Sequence, residues 1–171
     1  MSIEKYTDVE MHYFGKRLSV DAYCMAFASI AALRSTCKMR SVGAVLVKDR
    51  HILSTGYVGS IPGEPHCTDV GCLIETLADG DERCIRTIHA EQNAILQAAQ
   101  HGVPIKGSTL YTTYRPCNTC AKLIAGAGTA RIVYLNGDHP EWMDALWGIG
   151  IDIYCYTGPH FEVRKTITNV C

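Results

Sequence analysis

Four residues stand out as a set that can do chemistry together. His89 and Glu91 lie two apart in "TIHAEQNAI", and Cys117 and Cys120 lie three apart in "YRPCNTCAK". Each pair opens a stretch with the apolar spacing of a helix. Thiols at i and i+3 share one helical face, and a helix N-terminus favours the ionised sulfur. His89, at the start of its own helix, supplies a third metal ligand. Residues two apart on a helix point about 200° apart. His89 and Glu91 therefore share a site only if a metal lies over the open end of the first turn. The pattern predicts two helix N-termini meeting at one zinc. Three protein ligands leave a fourth position for water, as in a catalytic rather than a structural zinc site. Glu91 is then the spare carboxylate beside that water, suited to moving protons. Taken singly, each motif has a plainer reading. CxxC also suits a redox pair or half a structural zinc site, and HxE pairs are commonly solvated helix residues.

The elements that must position these residues follow from the flanking pattern. Val20 to about Cys37 is rich in Ala, Leu and Met at helical spacing and reads as a first helix. "VGAVLV" (Val42–Val47) and "ILSTGY" (Ile52–Tyr57), separated by "KDRH", read as a β-hairpin. Residues 58–86, with Pro62, Pro65 and several glycines and cysteines, read as mostly irregular. The helix from His89 runs through "AEQNAILQAAQH", with Gly102 as its stop. Then follow a strand at 109–113, a helix at 117–128, a strand at 131–135, a short helix at 141–150 and a strand at 151–156. A hairpin followed by helix–strand alternation predicts an α/β fold, a mixed sheet with helices on its faces. The absence of a repeat, a low-complexity tract or a linker makes 1–171 read as one domain.

Composition excludes several classes. The 171 residues carry a formal net charge of -1 without any Lys/Arg block, which argues against a large polynucleotide footprint and suits a small ligand. No apolar run approaches the roughly 18 residues of a membrane span. "MSIEKYTDVEMHY" lacks the layout of a signal peptide, so a cytoplasmic protein is expected. Nine cysteines cannot all pair with one another. In a reducing compartment they read as metal ligands or packing residues.

In order, the two pairs form the H-x-E…P-C-x-x-C signature of zinc deaminases. The chain resembles the deoxycytidylate (dCMP) deaminases of the cytidine and deoxycytidylate deaminase family. The resemblance spans most of the sequence, through "RSTCKMRSVGAVLV", "STGYVGSIPGEPHCTDVGC", "CIRTIHAEQNAI" and "RPCNTCAKLI". It implies a cytidine deaminase-like three-layer fold, with a five-stranded mixed sheet and helices on both faces. It implies hydrolysis of dCMP to dUMP and ammonia, supplying dUMP for thymidylate synthesis. Carried over by position, His89, Cys117 and Cys120 bind zinc and Glu91 is the proton shuttle. It further implies a homohexamer activated by dCTP, with Mg²⁺ on the triphosphate, and inhibited by dTTP.

Residues 58–86 form a segment well past the roughly 15 residues at which structureless loops become uncommon. The segment holds His66, Cys67, Cys72 and Cys84, and Cys37 precedes the hairpin. Soft ligands in a loop that needs a clip point to a second, structural zinc. The resemblance implies the same, since some family members carry such a zinc near these positions. The expected ligands are Cys37, Cys67, Cys72 and Cys84, with His66 as substitute, which makes two zinc ions per chain. Buried free cysteine is the plainer alternative. Cys24, Cys155 and Cys171 read as packing or tail residues.

For the substrate, Arg115 beside the zinc cysteines is a candidate for a 5′-phosphate, a surface salt bridge being the alternative. Tyr134, ending a strand, is a candidate for the pyrimidine, with core packing as its alternative. The chain departs from the family at Val58. "GYVG" stands at 56–59 where the family usually reads Gly-Tyr-Asn-Gly, so Tyr57, Val58 and Gly59 are the candidate effector contacts, and Val cannot hydrogen-bond a nucleotide as Asn can. Two other readings remain at this level. A tRNA or polynucleotide deaminase would share the zinc core but calls for a basic groove or tail, which "TGPHFEVRKTITNVC" does not supply. A non-catalytic zinc-stabilised interaction module would close the metal site with a fourth protein ligand and leave Glu91 without a role.

Overall fold

The computed structural model describes residues 17–78 and 80–157. Residues 1–16 and 158–171, Cys171 among them, lie outside the described residues. The central element is a five-stranded sheet in the order β2-β1-β7-β8-β9. Its strands are β1 (Gly43–Lys48), β2 (His51–Tyr57), β7 (Thr109–Thr112), β8 (Arg131–Tyr134) and β9 (Asp152–Cys155). β1 runs antiparallel to both β2 and β7, whereas β7, β8 and β9 are parallel. The mixed sheet expected from the element order is present.

Helices cover both faces of this sheet. Helix α1 (Val20–Ala32) sets Ala22, Cys24, Met25 and Ala28 against Val45, Val47, Tyr111 and Val133. On the opposite face, α3 (Ala90–Gln100) and α4 (Asn118–Gly126) pack over Ala44, Leu46, Leu110, Ile132 and Tyr134. β1 alternates between the two cores, so a strand buried on both faces reads as a continuous apolar run. Two glycines let the helices come this close. A Cβ on Gly43 would lie 2.1 Å from the Ala28 carbonyl oxygen of α1, and one on Gly56 would lie 2.1 Å from the Ala90 carbonyl oxygen of α3.

Several boundaries differ from the sequence expectation, for local reasons. The first helix ends at Ala32 instead of Cys37. The Ser41 hydroxyl caps the Ala32 carbonyl, the Ser35 hydroxyl bonds Val42, and the Thr36 amide donates to Val58. The Ser35 and Ser41 hydroxyls thus draw the backbone out of the helix, as such side chains do when they compete for its polar groups. Cys37 is therefore a loop residue. The hairpin turn is only Asp49–Arg50, both at positive φ (50° and 67°), the tight turn that suits strand twist. The segment read as irregular holds short elements. These are β3 (Gly59–Ser60), α2 (Cys67–Val70), the hairpin of β4 (Ile74–Thr76) with β5 (Glu82–Cys84), and β6 (Thr87–Ile88), which pairs with β3. The helix expected at 141–150 is a 3₁₀ turn, Glu141–Met143, followed by α5 (Asp144–Gly148). Cys24 is wholly buried in the α1 core. Cys155 packs on the other core, as a packing residue should, and is disulfide-bonded. No helix among the described residues is long and apolar enough to cross a membrane.

Candidate active site

Helix α3 is stitched to β2 by side chains that spare the apolar contact. The Ser54 hydroxyl donates to the Ala94 carbonyl (2.8 Å), the Asn93 amide donates to the Tyr57 carbonyl (2.7 Å), and Gln97 accepts from the Thr55 amide (3.1 Å). With Gly56 beneath it, the N-terminus of α3 is held against the sheet. His89 is the N-cap residue, in extended conformation, and its amide is satisfied by the Gln92 side chain at 3.1 Å. Cys117 occupies the same position on α4, where its sulfur accepts from the Cys120 amide at 3.5 Å. Both N-caps bear metal-ligand side chains. The two helix starts meet because both helices pack on one face of the sheet.

The ligand atoms of His89, Cys117 and Cys120 all lie within 4.8 Å of one another. His89 Nδ1 is 3.6 Å from Cys117 Sγ and 3.4 Å from Cys120 Sγ. Tetrahedral zinc with ordinary Zn–S and Zn–N bonds has ligand–ligand edges of roughly 3.5–3.8 Å, so the donors fit zinc in type and spacing. Among the described residues no fourth Cys, His or carboxylate completes this group.

The protonation pattern also suits a cation. The Cys120 thiol hydrogen-bonds Cys117 and, with His89, pulls the Cys117 thiol down to about 3 against the opposing effect of burial. That same bond, with burial and the nearby Glu91 charge, pushes the Cys120 thiol up. The pair gives up one proton readily and resists losing the second, as coupled neighbours do. A divalent ion removes that resistance. His89 is raised by its bond to Cys117. Burial drives the Glu91 carboxyl up to about 7, against its own backbone amide and the His89 charge. Glu91 is 4% exposed and meets the Cys120 thiol, so it is a carboxyl kept from bulk water at the edge of the ligand set.

A second group joins the loops. Cys37, Cys67, Cys72 and Cys84 have all their sulfurs within 4.8 Å of one another. Cys37–Cys72 is 3.8 Å and Cys67–Cys84 is 3.6 Å, close to the edges of a tetrahedral Zn–S₄ site. Burial, with the Cys84 and Cys72 thiols, pushes Cys67 up to about 12. For Cys84 burial is outweighed by bonds from the Arg86 amide and the Cys67 thiol, and it falls to about 7. Thiols must lose their protons to bind a metal, so a cation in this group would draw protons from Cys37 and Cys67, which burial holds protonated. His66 is the exposed residue before α2 and stands outside the group.

The two groups share a cleft of about 560 Å³. Cys37 and Cys84 line it, as do His89, Glu91 and Cys117. Arg115 and Val58 also line it. Tyr134 does not. It is 1% exposed, with its hydroxyl 3.4 Å from His139 Nδ1, so it belongs to the packed core. Tyr57 and Gly59 do not line the cleft either, whereas Val58 is buried in its wall, its amide bonded to Val42. Sequence reasoning missed Arg40, Tyr114, Asn118 and Thr119, all in the lining. The Arg40 guanidinium lies 4.8 Å from the Tyr114 ring centroid. The signal for Asn118 and Thr119 was their place between the two cysteines. Arg40 had none, because its loop is brought to the cleft only by the pairing of β1.

Comparison with known proteins follows the same residues. The model of the cytidine and deoxycytidylate deaminase zinc-binding region matches residues 18–136. The chain is 47% identical over 140 residues to ComE operon protein 2 of Bacillus subtilis, covering 81% of this chain and 71% of that one. It is 39% identical over 121 residues to the deoxycytidylate deaminase of Mycobacterium phage D29, covering 67% of this chain and 92% of that one. Among solved structures it is similar to the dCMP deaminase of cyanophage S-TIM5 in complex with dCMP and dUMP. The TM-score is 0.65 at 34% identity, over 79% of this chain and 94% of that one.

Proposed function

Because the chain belongs to the cytidine and deoxycytidylate deaminase family, with that family's fold, we propose that it hydrolyses dCMP to dUMP and ammonia. The observation that carries this reading is the meeting of His89, Cys117 and Cys120 in an open cleft beside the buried Glu91. The names of its relatives support dCMP as the substrate. His89, Cys117 and Cys120 hold the catalytic zinc, which when bound acidifies a water toward neutral pH and so supplies the nucleophile. Glu91 takes a proton from the attacking water and delivers it to N3 of the ring as C4 is attacked; it then takes the proton of the new C4 hydroxyl and passes it to the departing amine as the C4–N4 bond breaks. Its burial keeps bulk water from competing for that proton. Arg115 contacts the 5′-phosphate.

Cys37, Cys67, Cys72 and Cys84 hold a second zinc that clips the 58–86 insertion to a single deaminase domain. The enzyme works in the cytoplasm as a homo-oligomer, preferably a hexamer, supplying dUMP for thymidylate synthesis. dCTP with Mg²⁺ activates it and dTTP inhibits it. Such control needs a two-state equilibrium that both nucleotides bias. The Tyr57–Gly59 stretch is where an effector would be felt, since Val58 forms part of the cleft wall.

Product analysis with dCMP, dCTP and cytosine-containing oligonucleotides tests the substrate. Turnover of dCMP alone is expected. Turnover of oligonucleotides but not dCMP would reverse the assignment. Inactivity with all three, together with a fourth protein ligand on the catalytic metal, would make the chain an interaction module.

A further inference from the structure

We infer that Asn136 and Gly137, in the loop after β8, are positioning residues that aim Arg115 into the cleft. The inference rests on the proposed reading of Arg115 as the phosphate contact, and it adds what makes that contact selective. Arg115 leaves β7 on a short turn whose one tie to its own strand is the Thr112 hydroxyl, which donates to the Tyr114 carbonyl at 3.0 Å. The loop after β8 fixes it. The Arg115 amide donates to the Asn136 carbonyl at 2.8 Å, and the Asn136 side-chain amide donates to the Thr113 carbonyl at 3.0 Å. One residue thus grips the turn on both sides of Tyr114.

Gly137 then lies flat on the Arg115 stem. A Cβ there would be 2.7 Å from Arg115 Cγ, 3.1 Å from Cδ and 3.3 Å from Cβ. Its φ of +105° is in the region that side chains other than hydrogen rarely adopt. Two independent constraints, backbone and contact, therefore call for glycine. Pinned along its aliphatic stem, Arg115 has few ways to swing. Its Nε is buried without a hydrogen-bond partner among the described residues, while the side chain lines the same cleft as His89 and Glu91. A guanidinium with an unmet donor and a fixed stem suits a phosphate monoester, which accepts such bonds with full charge. Preorganisation of this kind raises affinity by cutting the side-chain ordering that binding would otherwise require.

The test uses the full zinc-loaded chain, steady-state kinetics with dCMP, and calorimetric binding of dUMP and of deoxyuridine. Gly137→Ala is expected to raise KM for dCMP and Kd for dUMP together by roughly tenfold, the lower end of what one charge-assisted hydrogen bond is worth. kcat at saturation is expected to move by less than about twofold, the pattern of lost uniform binding. Deoxyuridine binding should not move. Asn136→Ala adds no atom and is expected to act in the same direction by about threefold, which keeps the question open to test if Gly137→Ala does not fold. In an Arg115→Ala background, Gly137→Ala should add less than about twofold, because coupled positions are not additive. The clamp is overturned if both loop variants leave dUMP binding unchanged while Arg115→Ala weakens it. It is equally overturned if they weaken dUMP and deoxyuridine alike. An Arg115→Ala chain that binds dUMP normally would instead remove the phosphate role of Arg115. A wild-type chain that neither turns over dCMP nor binds dUMP would remove the substrate reading.

Discussion

The two thiol clusters use the same ligand chemistry on opposite kinds of scaffold. His89, Cys117 and Cys120 are carried by two helix starts packed on the central sheet, with α3 tied to β2 through Ser54, Asn93 and Gln97. Cys37, Cys67, Cys72 and Cys84 come from a loop, a one-turn helix and the neighbourhood of a three-residue hairpin. The first cluster has three donors and a buried carboxylate beside them. The second has four donors and no spare acid among its ligands. Where the fold already supplies rigidity, a ligand position can be left open for chemistry. Where the fold supplies little, a metal must close its own coordination and serve as the rigid element.

The largest expected effect tests the open cluster. Cys117→Ser or Cys120→Ser should reduce the zinc content from about two to about one per chain, by the ligand counts of the two clusters. Deamination should fall to background. Elemental analysis beside a dCMP assay reads both. Next, Glu91→Gln should leave the zinc in place and lower kcat by about 10²–10⁴-fold, the range for a lost general acid–base group. Near-normal turnover with full zinc would dismiss Glu91 as the proton carrier.

Closed-cluster variants should fail differently. Cys67→Ser or Cys84→Ser should cost stability of the order of a cross-link, roughly 2–4 kcal/mol. At roughly 2–4 °C per kcal/mol for a chain of this size, the melting midpoint should drop on the order of 10 °C. The catalytic metal should remain. Active protein that carries only one zinc would erase the distinction between the clusters.

A finer contrast uses the two glycines under the helices. Gly56→Ala and Gly43→Ala should each destabilise by about 1–3 kcal/mol through overpacking. Only Gly56→Ala displaces the helix that bears His89 and Glu91, so only it should lower kcat in the folded fraction. Equal losses of kcat would mean that the α3 contact has no special link to the site. The remaining expectation concerns regulation, which changes neither cluster. dCTP should lower, and dTTP raise, the dCMP concentration giving half-maximal rate by about 5- to 150-fold, the usual span of coupling energies. Hyperbolic curves unmoved by either nucleotide would remove the control while leaving the chemistry.

The open cluster was far more legible in the sequence than its surroundings. A helix start is marked by local pattern, so His89 and Cys117 could be placed at helix starts from neighbouring residues alone. The mixed sheet with helices on its faces also followed, because a hairpin followed by helix–strand alternation leaves few architectures. The exit of the chain at Ala32 did not, since it depends on Ser41 and Thr36 finding partners that are distant or ambiguous in the pattern. The tight turn at Asp49–Arg50 lacks the Asn-Gly chemistry that would announce it. Tyr134 reads as a strand-end aromatic in either role, and only burial separates a substrate contact from a core ring. Gly137 carries no signal of its own, because its constraint is an arginine more than twenty positions earlier.

The separation of the cysteines also sets an order of events. Cys37 and Cys72 are 35 positions apart, with the whole β1–β2 hairpin between them. Cys67 and Cys84 are only 17 apart. A short segment closes quickly, within the sub-microsecond range for loops of about ten residues, whereas a β-hairpin takes roughly 1–10 μs. If these four sulfurs hold the proposed second metal, the nascent chain can gather three of them around it before the fourth arrives. Cys37 completes the set only when the strands on either side of the Asp49–Arg50 turn have registered. On the proposed two-metal reading, the last coordination bond formed in refolding would report hairpin registration, and metal capture would serve as a clock for the topology of the sheet.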